Sequence, residues 1–206
     1  MTTQQSGVVN SATQNEVDSL ILDLLPLQGQ WGEAHYLWLT DSSNRLIEYT
    51  DGYIALLPMP TDNHQTILAF LFELFRDYLR PLNGKVRFSP LRLKIDNRRF
   101  REPDLLLLRS ADDPRRQNRF WLGADLVLEV VSPDKPERDL VQKRSDYAAG
   151  GISEYWIVNP EDATITVLVL GDEGYAEHGV FRRGETATSA TLAGFTAAVS
   201  AVFDAD

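Results

Sequence analysis

The chain contains no cysteine, only three histidines, and no long apolar run. Without thiols there are neither disulfides nor thiolate metal sites, and a reducing cytoplasm is the expected setting. No stretch approaches the roughly 18 apolar residues that a membrane span requires. The opening MTTQQSGVVNSATQNEVDSL lacks the basic and apolar regions of a signal peptide, so no membrane partner is expected. A His/Cys cluster, a Gly-rich phosphate loop and a Gly-x-Ser-x-Gly elbow are all missing. Thiol, P-loop and serine-hydrolase chemistries are thereby set aside.

What is present suits a single domain. At 206 residues and 23.2 kDa, with 43% hydrophobic and 24% charged residues, the chain can bury a sizeable core. Residues 1–14 are polar and low in complexity, which predicts a disordered tail before one domain over 15–206. Net charge is −10, which argues on its face against a nucleic-acid partner. The distribution is uneven, however. Twelve of the 20 Lys and Arg residues lie between Arg80 and Arg119 against five acids, making that segment net +7 and the remainder net −17. One reading is a solvated strand face with a basic loop. The other is a phosphate-tracking surface, with Arg87, Arg92, Lys94, Arg98, Arg99 and Arg101 as the DNA-binding candidates.

In chain order, the spacing predicts a short helix over 16–25 and another over 33–39. Residues 45–50 and 53–58 flank Asp51-Gly52, the strongest short hairpin signal. On the first of these strands Glu48 alternates with Ile47 and Tyr49, and by itself it is expected to face outward. Residues 63–79 carry Ile67, Phe70, Leu71, Leu74, Phe75 and Tyr78 on one helical stripe. Thr61, Asp62 or Asn63 can cap that helix, and His64 in its first turn reads as a hydrogen-bonding or capping residue. Residues 85–95 alternate as a strand whose phase slips at Ser89-Pro90, as at a bulge or edge distortion. A turn is expected over 97–100, and residues 103–108 form a short apolar strand with Asp104 at its mouth. An Arg-rich loop follows over 109–123. The segments 154–158, 164–170 and 175–181 are the remaining strands, the last two an antiparallel pair.

The most informative stretch is 125–160, DLVLEVVSPDKPERDLVQKRSDYAAGGISEYWIVNP, read as strand, loop, helix, turn, strand. Its first strand is apolar and β-branched, as in a strand covered on both faces. Glu129 interrupts it. A buried carboxylate needs a cation, a proton or a donor, because leaving it alone costs several kcal/mol. The helix predicted over 137–149, stopped by Gly150-Gly151, places Leu140, Lys143 or Arg144, and Tyr147 on its inner stripe. A cation there either snorkels to solvent or reaches something negative.

Asp104 and Glu129 thus stand on neighbouring strands with a cation on the following helix. Carboxylates are natural ligands for Mg²⁺, which takes few protein ligands and keeps waters. A backbone carbonyl such as that of Val130 could complete the set. The metal would acidify a bound water and offset charge on phosphorus, and an ammonium would orient that water or neutralise developing charge. The same spacing also suits a purely structural ion pair.

These residues carry a resemblance. Glu-Pro-Asp at 102–104, Leu-Glu-Val-Val-Ser-Pro at 128–133, Arg-Asp-Leu at 138–140, Lys143, Tyr147 and Gly-Ile-Ser-Glu-Tyr-Trp-Ile-Val-Asn-Pro at 151–160 together resemble the Uma2 family (DUF820). That family belongs to the PD-(D/E)XK restriction-endonuclease-like superfamily. The resemblance implies an α/β fold, a central mixed β-sheet flanked by α-helices with an N-terminal helical and β-hairpin extension. It implies metal ligation by Asp104 and Glu129, with Glu48 as a further acid that could complete the metal shell. The superfamily's lysine position holds Val131 here, and the resemblance implies its replacement by Lys143 rather than Lys135. His64 matches a family histidine, Tyr147 is a further accessory candidate, and Asn159 stands where the family often has Asp.

The expected function is a Mg²⁺-dependent endonuclease (Mn²⁺ substituting) acting on DNA as a homodimer. Its rivals are a catalytically silent, nuclease-like DNA-binding module and a hydrolase of another phosphate ester. Asp104→Ala and Glu129→Ala are expected to abolish cleavage while leaving folding largely intact.

Overall fold

The computed structural model of the chain describes residues 26–132 and 141–206. The expected tail over 1–14, the helix over 16–25 and the start of the helix over 137–149 lie outside the described residues. Helix α1 (Glu33–Ser42) buries Tyr36 and Leu37. Strands β1 (Ile47–Thr50) and β2 (Tyr53–Leu56) then form the expected hairpin. Asp51 and Gly52 have φ of 49° and 91°, the two left-handed residues that a tight primed turn needs. A Cβ at Gly52 would lie 2.5 Å from the Gly29 carbonyl oxygen, so only glycine fits that corner.

Helix α2 (Asp62–Leu79) is capped by Thr61, whose hydroxyl accepts the His64 backbone N–H at 3.2 Å. It buries Ile67, Leu68, Leu71, Phe75 and Leu79, while Phe70, Leu74 and Tyr78 pack along the margin of that stripe.

The segment expected as one slipped strand is two strands in different sheets. Strand β3 (Lys85–Phe88) pairs with β6 (Leu105–Leu108), whereas β4 (Leu93–Asp96) pairs with β5 (Arg99–Arg101). The change of phase at Ser89-Pro90 therefore marks the chain's departure from one sheet to another, where a new surface must face inward. Strand β5 likewise occupies part of the expected turn over 97–100.

Strand β7 (Leu126–Val130), helix α3 (Lys143–Ala149) and strand β8 (Glu154–Asn159) follow. The helix ends as its glycines predict. Gly151 is left-handed, the Ile152 N–H donates to Tyr147 O at 3.1 Å, and the Gly151 N–H donates to Ala148 O at 3.0 Å. Strands β9 (Thr164–Gly171) and β10 (Gly174–Arg182) form the predicted antiparallel pair. The small hairpin β11 (Thr186–Thr188) and β12 (Thr196–Ala198) leads into helix α4 (Val199–Phe203).

The central sheet has the order β10-β9-β8-β7-β6-β3 and the second the order β2-β1-β5-β4. Every neighbouring pair is antiparallel except β7 and β8. Alternation divides the strand side chains between two cores. Leu105, Leu107, Leu126, Leu128 and Trp156 share one core with α2 and α4. Leu106, Leu108, Val127 and Tyr155 share the other with Tyr147 of α3 and Trp121. The result is a central mixed sheet flanked by helices. A third cluster, including Trp31, Tyr36, Tyr49 and Phe100, fastens α1 to the second sheet. No described helix is long and apolar enough to cross a membrane.

Candidate active site

A cleft of about 500 Å³ opens where the end of β7, the start of β6, the end of β3 and the first turn of α2 converge. Asp104, immediately before β6, sits at its mouth with a side chain 18% exposed. Its Oδ2 accepts the Val130 N–H at 2.8 Å and lies 3.1 Å from His64 Nε2. The cap on α2 uses the His64 backbone, so the imidazole itself is turned to the carboxylate.

Glu129 is buried near the end of β7 and is provided for on both oxygens. The Tyr147 hydroxyl donates to Oε1, and Lys143 Nζ lies 2.7 Å from Oε2. Burial, reinforced by the negative charge of Glu129, holds the Tyr147 pKa well above that of an ordinary tyrosine. Its hydroxyl therefore keeps its proton and remains a donor. Lys143 and Tyr147 are one helical turn apart and reach Glu129 together. Arg144, the alternative by spacing, is exposed and donates to the Tyr175 carbonyl.

Glu48 faces inward, contrary to the expectation from its own strand. Ile47 and Tyr49 pack into the α1 cluster on one side of β1, while Glu48 projects to the opposite side, where the cleft residues cover it. Its Oε1 accepts the Glu102 N–H at 3.2 Å and lies 3.9 Å from Lys143 Nζ, and its Oε2 lies 3.7 Å from Arg101 Nη1. Lys143 therefore stands between two carboxylates, close to Glu129 and farther from Glu48.

The sequence profile of the Uma2 family, described as "Putative restriction endonuclease", matches residues 33–200. The chain belongs to the Uma2 family. Among solved structures it is similar to "a putative nuclease belonging to DUF820" from Anabaena variabilis, at 18% identity and a TM-score of 0.71. That alignment covers 84% of this chain and 97% of the other, and at this identity the likeness carries the fold alone. No curated protein matches the chain.

The Uma2 match spans Glu48, His64, Asp104, Glu129, Lys143 and Tyr147. Val131, at the superfamily's lysine position, is buried in the apolar core below α3 and offers no cation to the cleft. Two further residues of this Uma2 chain escaped the sequence reading. Glu102 lines the cleft and is 4% exposed, and its Oε2 has no hydrogen-bond partner among the described residues. Burial, and then the negative charge of Glu48, push its pKa up to about 8, against the pull of Arg92 and Lys143. Asp146 shares the inward face of α3 with Lys143 and accepts from the Arg101 guanidinium, through Nε at 3.0 Å and through Nη2. The i, i+3, i+4 spacing of Lys143, Asp146 and Tyr147 was the available signal.

The basic candidates divide sharply. Arg101 is 2% exposed and bound to Asp146, so it is an internal residue and cannot meet a duplex. Arg92, Lys94, Arg98 and Arg99 pair with Asp41, Glu33, Asp51 and Asp96 at 2.8, 2.7, 2.8 and 2.6 Å. Arg87 is exposed and has no carboxylate partner among the described residues.

Among the described residues, no three His, Asp or Glu side chains are gathered to hold a metal ion. Mg²⁺, however, is commonly held by one or two carboxylates, with water and substrate phosphate at its other positions. Asp104 and Glu129 both line the cleft, and Glu102 adds a buried oxygen lacking a donor there. This all-oxygen donor set fits a hard divalent ion.

Proposed function

We propose that this chain is an endodeoxyribonuclease that hydrolyses phosphodiester bonds in the cleft with carboxylate-held Mg²⁺ or Mn²⁺. The observation that carries the reading is the convergence of Asp104, Glu129 and Lys143, from three separate elements, on one cleft in a Uma2 chain. Asp104 and Glu129 would hold the ion, with Glu48 and the Val130 carbonyl as further candidates. When bound, the ion supplies Lewis-acid stabilisation of the phosphate and acidifies water.

The chain's own residues do the rest. The Val130 N–H and His64 fix the rotamer of Asp104, as partners beyond the ligands of a metal site do. Tyr147 fixes Glu129. The Lys143 ammonium offsets the carboxylate charge before substrate arrives, and is placed to orient the attacking water or neutralise charge developing on the phosphate. Two copies acting as a homodimer would cut both strands of a symmetric site. The cysteine-free composition suits work in the cytoplasm.

The 2.7 Å contact between Lys143 and Glu129 also favours a second reading, in which the pair is structural and the chain binds DNA without cutting it. Plasmid nicking in Mg²⁺ separates the two. Asp104→Asn keeps an oxygen to accept the Val130 N–H, so the variant is expected to fold and to lose nicking at least a hundredfold. Nicking by the variant at the wild-type rate would sink the site assignment. Absence of nicking in both proteins would favour the silent module.

A further inference from the structure

A second groove, of about 400 Å³, lies beyond edge strand β3 and is lined by Arg87, Leu91, Arg116, Gln117, Asn118 and Trp121. Its cations differ from those around them. Nine of the twelve Lys and Arg residues between Arg80 and Arg119 have a carboxylate partner. Among the described residues Lys85, Arg87 and Arg116 have none. Arg87 donates to the Val86 carbonyl at 2.8 Å and Arg116 to the Ala111 carbonyl at 3.0 Å. A carbonyl carries no net charge, so among the described residues no carboxylate compensates either guanidinium, on a protein of net charge −10.

The groove's position matters as much as its charge. Phe88 and Ser89 bound the catalytic cleft, while Arg87, the adjacent residue of β3, bounds the groove. Strand alternation sends Arg87 and Lys85 to one face of β3 and Phe88 to the other. A polyanion that occupies the cleft and continues past the sheet edge meets these arginines next. Exposed Gln117 and Asn118 supply neutral hydrogen-bonding groups beside them, and the buried Trp121 ring forms part of the wall.

We infer that the Arg87–Arg116 groove is a phosphate-binding subsite that grips the backbone of the DNA strand running through the cleft. The identity of the polyanion rests on the nuclease reading; the anion site rests on the unneutralised arginines alone. Arginine forks match phosphate oxygens, and contacts of this kind position a strand without reading its sequence. The paired candidates Arg92, Lys94, Arg98 and Arg99 take no direct part.

The test is fluorescence anisotropy of a labelled duplex, with salt titration, in EDTA so that no cutting intervenes. Arg87→Gln/Arg116→Gln is compared with Arg98→Gln/Arg119→Gln, which removes the same charge from exposed, carboxylate-paired positions. The groove variant is expected to lose about tenfold or more in affinity at low salt, whatever the duplex sequence. The slope of log K against log salt should become shallower by about 1.8, the value for two phosphate contacts. The control should keep the wild-type slope. Equal losses in the two variants, an unchanged slope in the groove variant, or no wild-type binding at low salt would each overturn the inference. Circular dichroism establishes that the four surface substitutions leave the fold intact. Nicking by wild type with an unaltered groove slope leaves the nuclease and removes the subsite. Groove-dependent binding without nicking does the reverse.

Discussion

Lys143 Nζ lies 2.7 Å from Glu129 Oε2, with only 6% and 3% of the two side chains exposed. Neither charge is tolerable alone at that depth. A buried pair of this kind contributes little net stability, but removing one partner leaves the other uncompensated at a cost of about 3–5 kcal/mol. For Glu129→Ala the expectation that folding is left largely intact is therefore replaced by an expected loss of stability.

A double-mutant cycle measures this coupling. Glu129→Gln and Lys143→Met should each lower urea-unfolding stability by roughly 3 kcal/mol. The double variant should lose clearly less than their sum, since neither charge then remains. Additive losses would show that the two groups do not depend on each other in the folded protein.

In the proposed site His64 would act through Asp104. Thr61 caps α2 by accepting the backbone N–H of residue 64 whatever its side chain, so His64→Ala should keep the cap and the fold. Without the imidazole 3.1 Å from Oδ2, Asp104 loses one of the two groups that, among the described residues, fix its orientation. Loss of such a partner typically costs about 10–100-fold in metal affinity or activity. Calorimetric titration of Mn²⁺ into both proteins checks this, and equal affinities would leave the His64 imidazole no part in holding Asp104.

Arg101 ties α3 to the second sheet through Asp146 and faces Glu48 as well. Arg101→Leu should therefore lower unfolding stability by about 3 kcal/mol, because two buried carboxylates each lose one of their cations. Under conditions where the variant remains folded, its DNA-binding salt slope should match that of the wild type. A shallower slope would return Arg101 to the nucleic-acid surface, against its burial.

Much of this arrangement was legible because local pattern and fold agree. Asp51-Gly52 marks a hairpin, Gly150-Gly151 a helix end, and an acid inside an apolar strand a residue that lines the cleft. Glu48 was misread because a strand's alternation tells which residues share a face, not which faces are covered. Burying both sides of β1 depends on α1 and on Glu102 and Lys143, which are remote in sequence. The basic segment was over-read for a similar reason. Counting charges between Arg80 and Arg119 cannot reveal that Asp41, Glu33, Asp51 and Asp146, all outside it, neutralise much of its cationic surface. The break at Ser89-Pro90 was visible, but a phase slip alone does not distinguish a bulge from a change of sheet.

Glu102 makes the stability of the metal-free fold fall as pH rises from about 4.5 to about 8. Its folded pKa of about 8 stands above the ordinary 4.5, chiefly because of burial and then because Glu48 is close, while Arg92 and Lys143 oppose the shift. Between those two values the native state keeps a proton that the unfolded chain has released, so stability falls as pH rises. The contribution is fully present below about pH 4.5 and lost as pH climbs through about 8. Glu102→Gln replaces the protonated acid with a neutral side chain of the same shape. The variant should match wild type at about pH 4 and exceed it at about pH 8, which urea unfolding in EDTA across this range would record. Curves that stay parallel throughout would mean that Glu102 ionises freely in the folded protein, and that its buried oxygen has a donor after all.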